Sequence, residues 1–262
     1  MAFAQPIHIL LPEFQAFLVL ISRIGGLLAA LPVLSGGAIP LKVKVALILS
    51  LGLLLAPMVQ LPTAPYDPLA LAAGLVSEMT IGLAIGLAVR LFFSALEVAG
   101  ELIGIQMGFG VVQLFDPVTA HQTPIIGRFF TLLASLVFLS MNGHMLLVAT
   151  ILSSYEAIPA FGASLPGGVG DDVLRLSQNM FVLGLKLAAP VLVVIFVVNI
   201  LLAMLGRAVS QINVFVLSFP VTIAGGLAVL ALSMPFAVDL LARELEQLQL
   251  TIEGLLKALG HG

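Results

Sequence analysis

Glu97 and Glu101 stand one helical turn apart, so a helix would present both carboxylates on one face. Such a pair can hold a cation or pass a proton, but a wet pore face or partner contacts need no chemistry of their own and are the favoured reading. His144, in Met141-Asn142-Gly143-His144, is the histidine set deepest in an apolar run. Intramembrane histidines can relay protons, but no carboxylate has helical spacing to this one, so a packed histidine bonded across helices is expected. Asp171-Asp172 precedes apolar positions and reads as a helix N-cap rather than a metal pair. The chain has no cysteine, which removes thiol nucleophiles, thiolate metal sites and disulfides. HExxH, GxSxG, P-loop and strand-to-helix GxGxxG patterns are also absent. The residues therefore predict no catalytic site, no cofactor and no metal centre.

The elements that carry these residues are dictated by composition. Of 262 residues, 61% are hydrophobic and 9% charged, where soluble domains carry roughly 25% charged; the mean hydropathy is +1.22. This is an all-α integral membrane protein, and its thin net charge of −3 suggests no nucleic-acid partner. Six apolar segments can be marked, about Phe14–Leu34, Val43–Val59, Leu69–Leu96, Ile125–Leu152, Phe181–Leu205 and Val214–Val238, each near the ~20 residues that span a bilayer. The first basic residue, Arg23, lies inside the first segment, so no positively charged leader and no cleavable signal peptide is expected.

Several segments are poor lipid-facing spans. Arg23, Glu78, Arg90, Lys186 and Asn199 fall within them, with Arg207 beside the fifth. A charge at the centre of an isolated span costs ~2.5–3.5 kcal/mol, so these residues should meet protein or water; for Lys186 snorkelling to a segment end is the simpler expectation. Trp is absent, so the usual interfacial belt is missing. Both features suit a subunit walled in by other subunits. Gly82 and Gly86 form a GxxxG pair that predicts close packing, and Pro190, Pro220 and Pro235 predict kinks.

Gly100 to Arg128 departs from all of this. Gly100, Gly104 and Gly108 recur every fourth residue, a smooth strip where another backbone can approach. After Gly108 the helical stripe is lost through Phe109-Gly110-Val111-Val112-Gln113-Leu114-Phe115, and Asp116-Pro117 is a stop. An apolar, irregular, glycine-rich segment cannot face lipid, because its amides would be unpaired; it belongs inside protein or in a wet passage. Two readings fit, a loop placed in a passage and a buried hairpin between spans.

The C-terminal residues 239–262 change character and read as an amphipathic helix, distinct from a membrane domain over residues 1–238. Leu241, Leu245, Leu248, Ile252, Leu255 and Leu259 alternate spacings of four and three, with Arg243, Glu244, Glu246 and Glu253 off that seam. Acid outnumbers base here, which disfavours anionic lipid and points to docking on a partner.

Three blocks then carry a likeness: Arg23 to Pro32 with Pro40 and Lys44; Gly100–Pro117 with Gln106 and Asp116-Pro117, continuing to Asn142-Gly143-His144; and Asn199 to Gly226 with Arg207, Gln211-Ile212-Asn213-Val214-Phe215 and Phe219-Pro220. Over essentially its whole length the chain resembles the FliR-type export-gate family of flagella and of type III secretion injectisomes. One departure is Ser210-Gln211, where that family is expected to have Pro-Gln. The resemblance implies bent helical hairpins in a helical hetero-oligomer with FliP-type and FliQ-type subunits and the FlhB switch component, in the bacterial inner membrane. It further implies that the segment matching Gln106 to Gln122, about residues 106–122, plugs a channel for unfolded exported polypeptide. Gln106, Met107, Gly108, Phe109, Gly110, Val111, Val112, Gln113, Leu114, Phe115 and Asp116 are the gate residues so expected. Arg23, Glu78, Arg90, Glu97, Glu101, His144, Asn199 and Arg207 would serve assembly, and Leu241, Leu245, Leu248, Ile252 and Leu255 docking. The rivals are a small-solute transporter with an ion site at Glu97 and Glu101, which would work when purified alone, and an intramembrane enzyme using His144.

Overall fold

A computed structural model of the chain describes residues 5–32, 39–59, 66–109, 125–162, 169–209 and 213–260. Their elements are α1 (Gln5–Ala30), α2 (Leu41–Leu55) with a 3-10 turn at Ala56–Met58, α3 (Pro68–Gln106), α4 (Ile125–Ser140), α5 (Gly143–Ala157), α6 (Val169–Ala208) and α7 (Val214–Gly260). Among the described residues there is no strand. Among the described residues, five helices are long and apolar enough to cross a membrane, or six if α4 and α5 count as one broken span. The all-α membrane class expected from composition is thus what the chain forms. The 39 residues of α3 extend about 58 Å at about 1.5 Å per residue, nearly twice a hydrocarbon core of about 30 Å.

Local chemistry explains several helix ends. Pro40 stands before α2 with extended backbone, and Pro57 lies in the tight turn that closes that helix. The fourth apolar segment is not one span. Asn142 takes a left-handed φ of 57°, and α5 leaves α4 at a bend of 68°; Asn is one of the few residues that enters this region cheaply. Asp171 and Asp172 lie in the first turn of α6 rather than at its cap, where negative charge opposes the helix dipole favourably. Pro190 stays inside α6, and Pro220 and Pro235 stay inside α7. α7 runs unbroken through residue 238 to Gly260.

The chain divides into two compact units. The first, Met1–Leu91, Asn142–Leu176 and Glu246–Gly262, buries Leu20, Ile24 and Leu27 of α1, Ile85 and Val89 of α3, Ile151 of α5 and Ile252 of α7. Its central contact is α1 against α3, at a spacing only glycine allows. A Cβ on Gly82 would strike the carbonyl oxygen of Arg23, one on Gly86 would lie 2.7 Å from the Leu27 carbonyl, and one on Gly26 would strike the Met79 carbonyl. The expected GxxxG pair therefore packs within the chain. Gln15 of α1 and the Tyr66 backbone make a two-way clamp, Tyr66 N–H donating to Oε1 at 2.9 Å and Nε2 donating to Tyr66 O at 3.3 Å.

The second unit, Phe92–Met141 and Ser177–Leu245, buries Phe93, Leu96 and Ile103 of α3, Phe130 of α4 and Leu187 and Val191 of α6. Gly100 of α3 meets the backbone of Gly127 on α4, and a Cβ on Gly184 of α6 would lie 2.8 Å from the Ala95 carbonyl. The strip that Gly100 begins does admit another backbone.

Candidate functional site

Two constellations stand out, one in each unit. In the second unit α3 ends in a tight corner. Phe109 N–H donates to Gly104 O at 3.0 Å and Gly108 N–H to Ile105 O at 3.1 Å, the paired bonds of a Schellman motif, with Gly108 at its left-handed position, φ +92°. Met107, wholly buried, sits just inside the corner. It fills a notch on α7: a Cβ on Gly226 would lie 2.8 Å from Met107 Cγ and 3.0 Å from its sulfur. One turn earlier the Thr222 hydroxyl lies 3.3 Å from the Met107 carbonyl, although Ser218 O at 2.9 Å is its nearer acceptor. Phe219 closes the other side, 2.9 Å from where a Cβ on Gly108 would stand, and stacks edge-on with Phe215. Phe219, Thr222 and Gly226 fall on one face of α7, at the three- and four-residue spacing that helical neighbours require.

In the first unit a charged clasp lies where lipid was the alternative. Arg23 Nε donates to Glu78 Oε2 at 2.6 Å, and neither side chain has any exposed surface. Arg23 Nη1 donates to Ser154 Oγ at 3.0 Å and Nη2 to the Ile158 carbonyl at 3.1 Å. The guanidinium also stacks 3.7 Å above the Tyr155 ring, a favourable position for a desolvated cation. The second oxygen of Glu78 accepts from Phe161 N–H at 3.0 Å. Both carboxylate oxygens are thus used, as burial of a charge demands. Phe161 itself holds φ +63°, strained for an aromatic residue. Its ring occupies the space a side chain at Gly74 would need and lies 4.3 Å from the Tyr66 ring. Partial burial raises the Tyr66 phenol above its ordinary value. The Tyr155 hydroxyl is buried and meets no hydrogen-bond partner among the described residues.

The other sequence-derived residues are placed as follows. Gln106 is exposed, Phe109 half-buried, and Gly110, Val111, Val112, Gln113, Leu114, Phe115 and Asp116 lie outside the described residues. Arg23 and Glu78, expected to meet protein or water, satisfy each other within the chain. Arg90, Glu97 and Glu101 are exposed on one line of α3, at spacings of seven and four residues. Asn199 and Arg207 are exposed on α6. His144 is exposed as well, not packed across helices, because the bend at Asn142 places it at the start of α5. Lys186 does not merely snorkel: its Nζ is 3.3 Å from Glu244 Oε1 on α7. The seam Leu241, Leu245, Leu248, Ile252 and Leu255 is buried in the chain itself. Residues 246–262 belong to the first unit.

The sequence did not single out Ser154, Tyr155, Phe161, Thr222 or Gly226 as site residues. Ser153-Ser154-Tyr155-Glu156 is a polar run closing an apolar segment, and Gly225-Gly226 is a glycine pair inside another; both were available signals. Among the described residues no three of His, Asp and Glu come together as a metal set.

Comparison with known proteins supplies the remaining identity. The family model of bacterial export proteins, family 1, matches residues 14–248. The chain is similar to the flagellar biosynthetic protein FliR of Pectobacterium carotovorum, 33% identical over 213 residues that cover 81% of this chain and 82% of that one. It is similar to the FliR of Escherichia coli K12, at 31% over 81% and 82% of the two chains. To that of Caulobacter vibrioides the identity is 30%, over 84% and 90%. An all-helical membrane chain whose three sequence blocks fall in order within the matched range therefore belongs to the FliR-type family, the bacterial export proteins, family 1.

Proposed function

We propose that this chain is a subunit of the flagellar type III export gate in the bacterial inner membrane, lining and plugging a conduit for unfolded exported polypeptide. The observation that carries the reading is the end of α3. A helix from a membrane-crossing set stops at the Gly108 corner, pinned to α7, immediately before the apolar sequence from Phe109 to Phe115. An apolar constriction excludes water and ions, where a charged one would hold them. The names of the relatives favour the flagellar system over the injectisome. Arg90, Glu97, Glu101 and Asn199 are exposed within candidate spans, where lipid contact is costly. FliP-type and FliQ-type subunits, with the FlhB switch component, would cover them. This chain would then contribute no catalysis, and the energy for export would come from other components.

The test removes Gly110–Leu114, leaving the capping Gly108 intact, in cells that express the complete set of gate subunits. The complex should still assemble, and membrane conductance to small ions should rise. A complex that assembles and stays tight would make this segment a packed hairpin and end the plug assignment.

A further inference from the structure

The gate reading leaves open what sets the position from which the chain departs α3. We infer that Met107 and Gly226 form a latch by which α7 fixes the end of α3, so that this exit point moves only when α7 moves. Three observations carry the inference. Met107 is wholly buried and its side chain occupies the space a residue larger than glycine at position 226 would need. The neighbouring Gly225 has open space around it, so the need for glycine is confined to the face that holds Met107. Phe219, on the same face, stands against Gly108, which its left-handed φ already restricts to glycine.

The stretch of α7 that makes the latch also carries residues that weaken a helix. Pro220 lies inside the helix and removes one backbone bond, and Gly225-Gly226 follows one turn later with low helix propensity. The Thr222 hydroxyl donates toward carbonyls of its own preceding turn, with Ser218 O at 2.9 Å, an arrangement that favours bending. A bend here displaces the floor under Met107, and α3 is held at its last turn by that contact. The methionine suits the role, because its unbranched thioether adapts to a shifting notch without losing contact.

This inference rests on the gate reading for its consequence in export, but its geometry is tested separately. The chain has no cysteine, so Phe109→Cys gives a single labelling site beside the corner. Gly226→Leu should expel Met107, speed maleimide labelling at position 109 severalfold and depress export. Gly225→Leu should change neither. Adding Met107→Ala to Gly226→Leu should restore the slow labelling, because the smaller side chain makes room for the leucine; a general folding defect would not be repaired this way. Unchanged labelling in Gly226→Leu, or no rescue by Met107→Ala in a complex that assembles, overturns the latch. If Gly226→Leu alters labelling while removal of Gly110–Leu114 causes no leak, the latch stands and the plug reading alone falls.

Discussion

A guanidinium shared among a carboxylate, a hydroxyl, a carbonyl and an aromatic face leaves no partner to spare. Removing either half of the Arg23–Glu78 pair strands the other charge where neither has solvent contact, and such losses cost about 3–5 kcal/mol. Arg90 is exposed, and its loss should change the chain's own stability by no more than about 0.5 kcal/mol. Thermal unfolding of the detergent-solubilised chain should therefore place Arg23→Ala and Glu78→Ala well below Arg90→Ala. The double replacement Arg23→Leu/Glu78→Leu should lie above either single one, because it leaves no unpaired charge. Equal melting of Arg23→Ala and Arg90→Ala would remove the clasp from any account of stability. That both residues must avoid lipid was legible in the sequence, since each interrupts an apolar run. That they pair was not, because the partners lie 55 positions apart and the Phe161 amide 83 from Glu78. Helical periodicity carries no information across such distances.

At the scale of elements, glycine spacing was informative and polarity misled. Gly82, Gly86 and Gly100 mark real backbone contacts, since nothing but a missing side chain permits that approach. His144 was misjudged because hydropathy cannot see the bend at Asn142, although Asn-Gly at that position is a turn signal. The leucine seam of α7 was found at its true register, and it is buried in the chain itself: a heptad pattern states that a face is buried and is silent on whether the cover is the same chain. A consequence can be measured. Leu248→Glu with Ile252→Glu puts two carboxylates on a buried face, and each unpaired charge costs several kcal/mol. The chain expressed without its partner subunits should then turn digestible by a protease at its C-terminal end. Had the seam served only a partner, the isolated chain would be unaffected and only co-purification would suffer.

The whole molecule is a chain whose longest helices, α3, α6 and α7, outrun the bilayer and whose segments return to distant places, residues 142–176 and 246–262 joining residues 1–91 in one unit. Hydropathy marked six apolar stretches where, among the described residues, five unbroken helices are long and apolar enough to cross a membrane, and it had no means of reporting this interleaving. The clasp gives the interleaving a history as well as a shape. A ribosome makes Arg23 55 residues before Glu78, an interval of roughly 3–11 s at about 5–20 residues per second. During it the first helix carries an unneutralised guanidinium, a burden of ~2.5–3.5 kcal/mol, or about two orders of magnitude in partition. Nascent chains arrested before Glu78 emerges should leave the first helix extractable by alkaline carbonate, and longer arrests should make it resistant. In Glu78→Ala the resistance should come late or not at all; equal resistance at every length would mean that the first helix settles unaided. On this view the third helix is the condition on which the first becomes a permanent resident of the membrane.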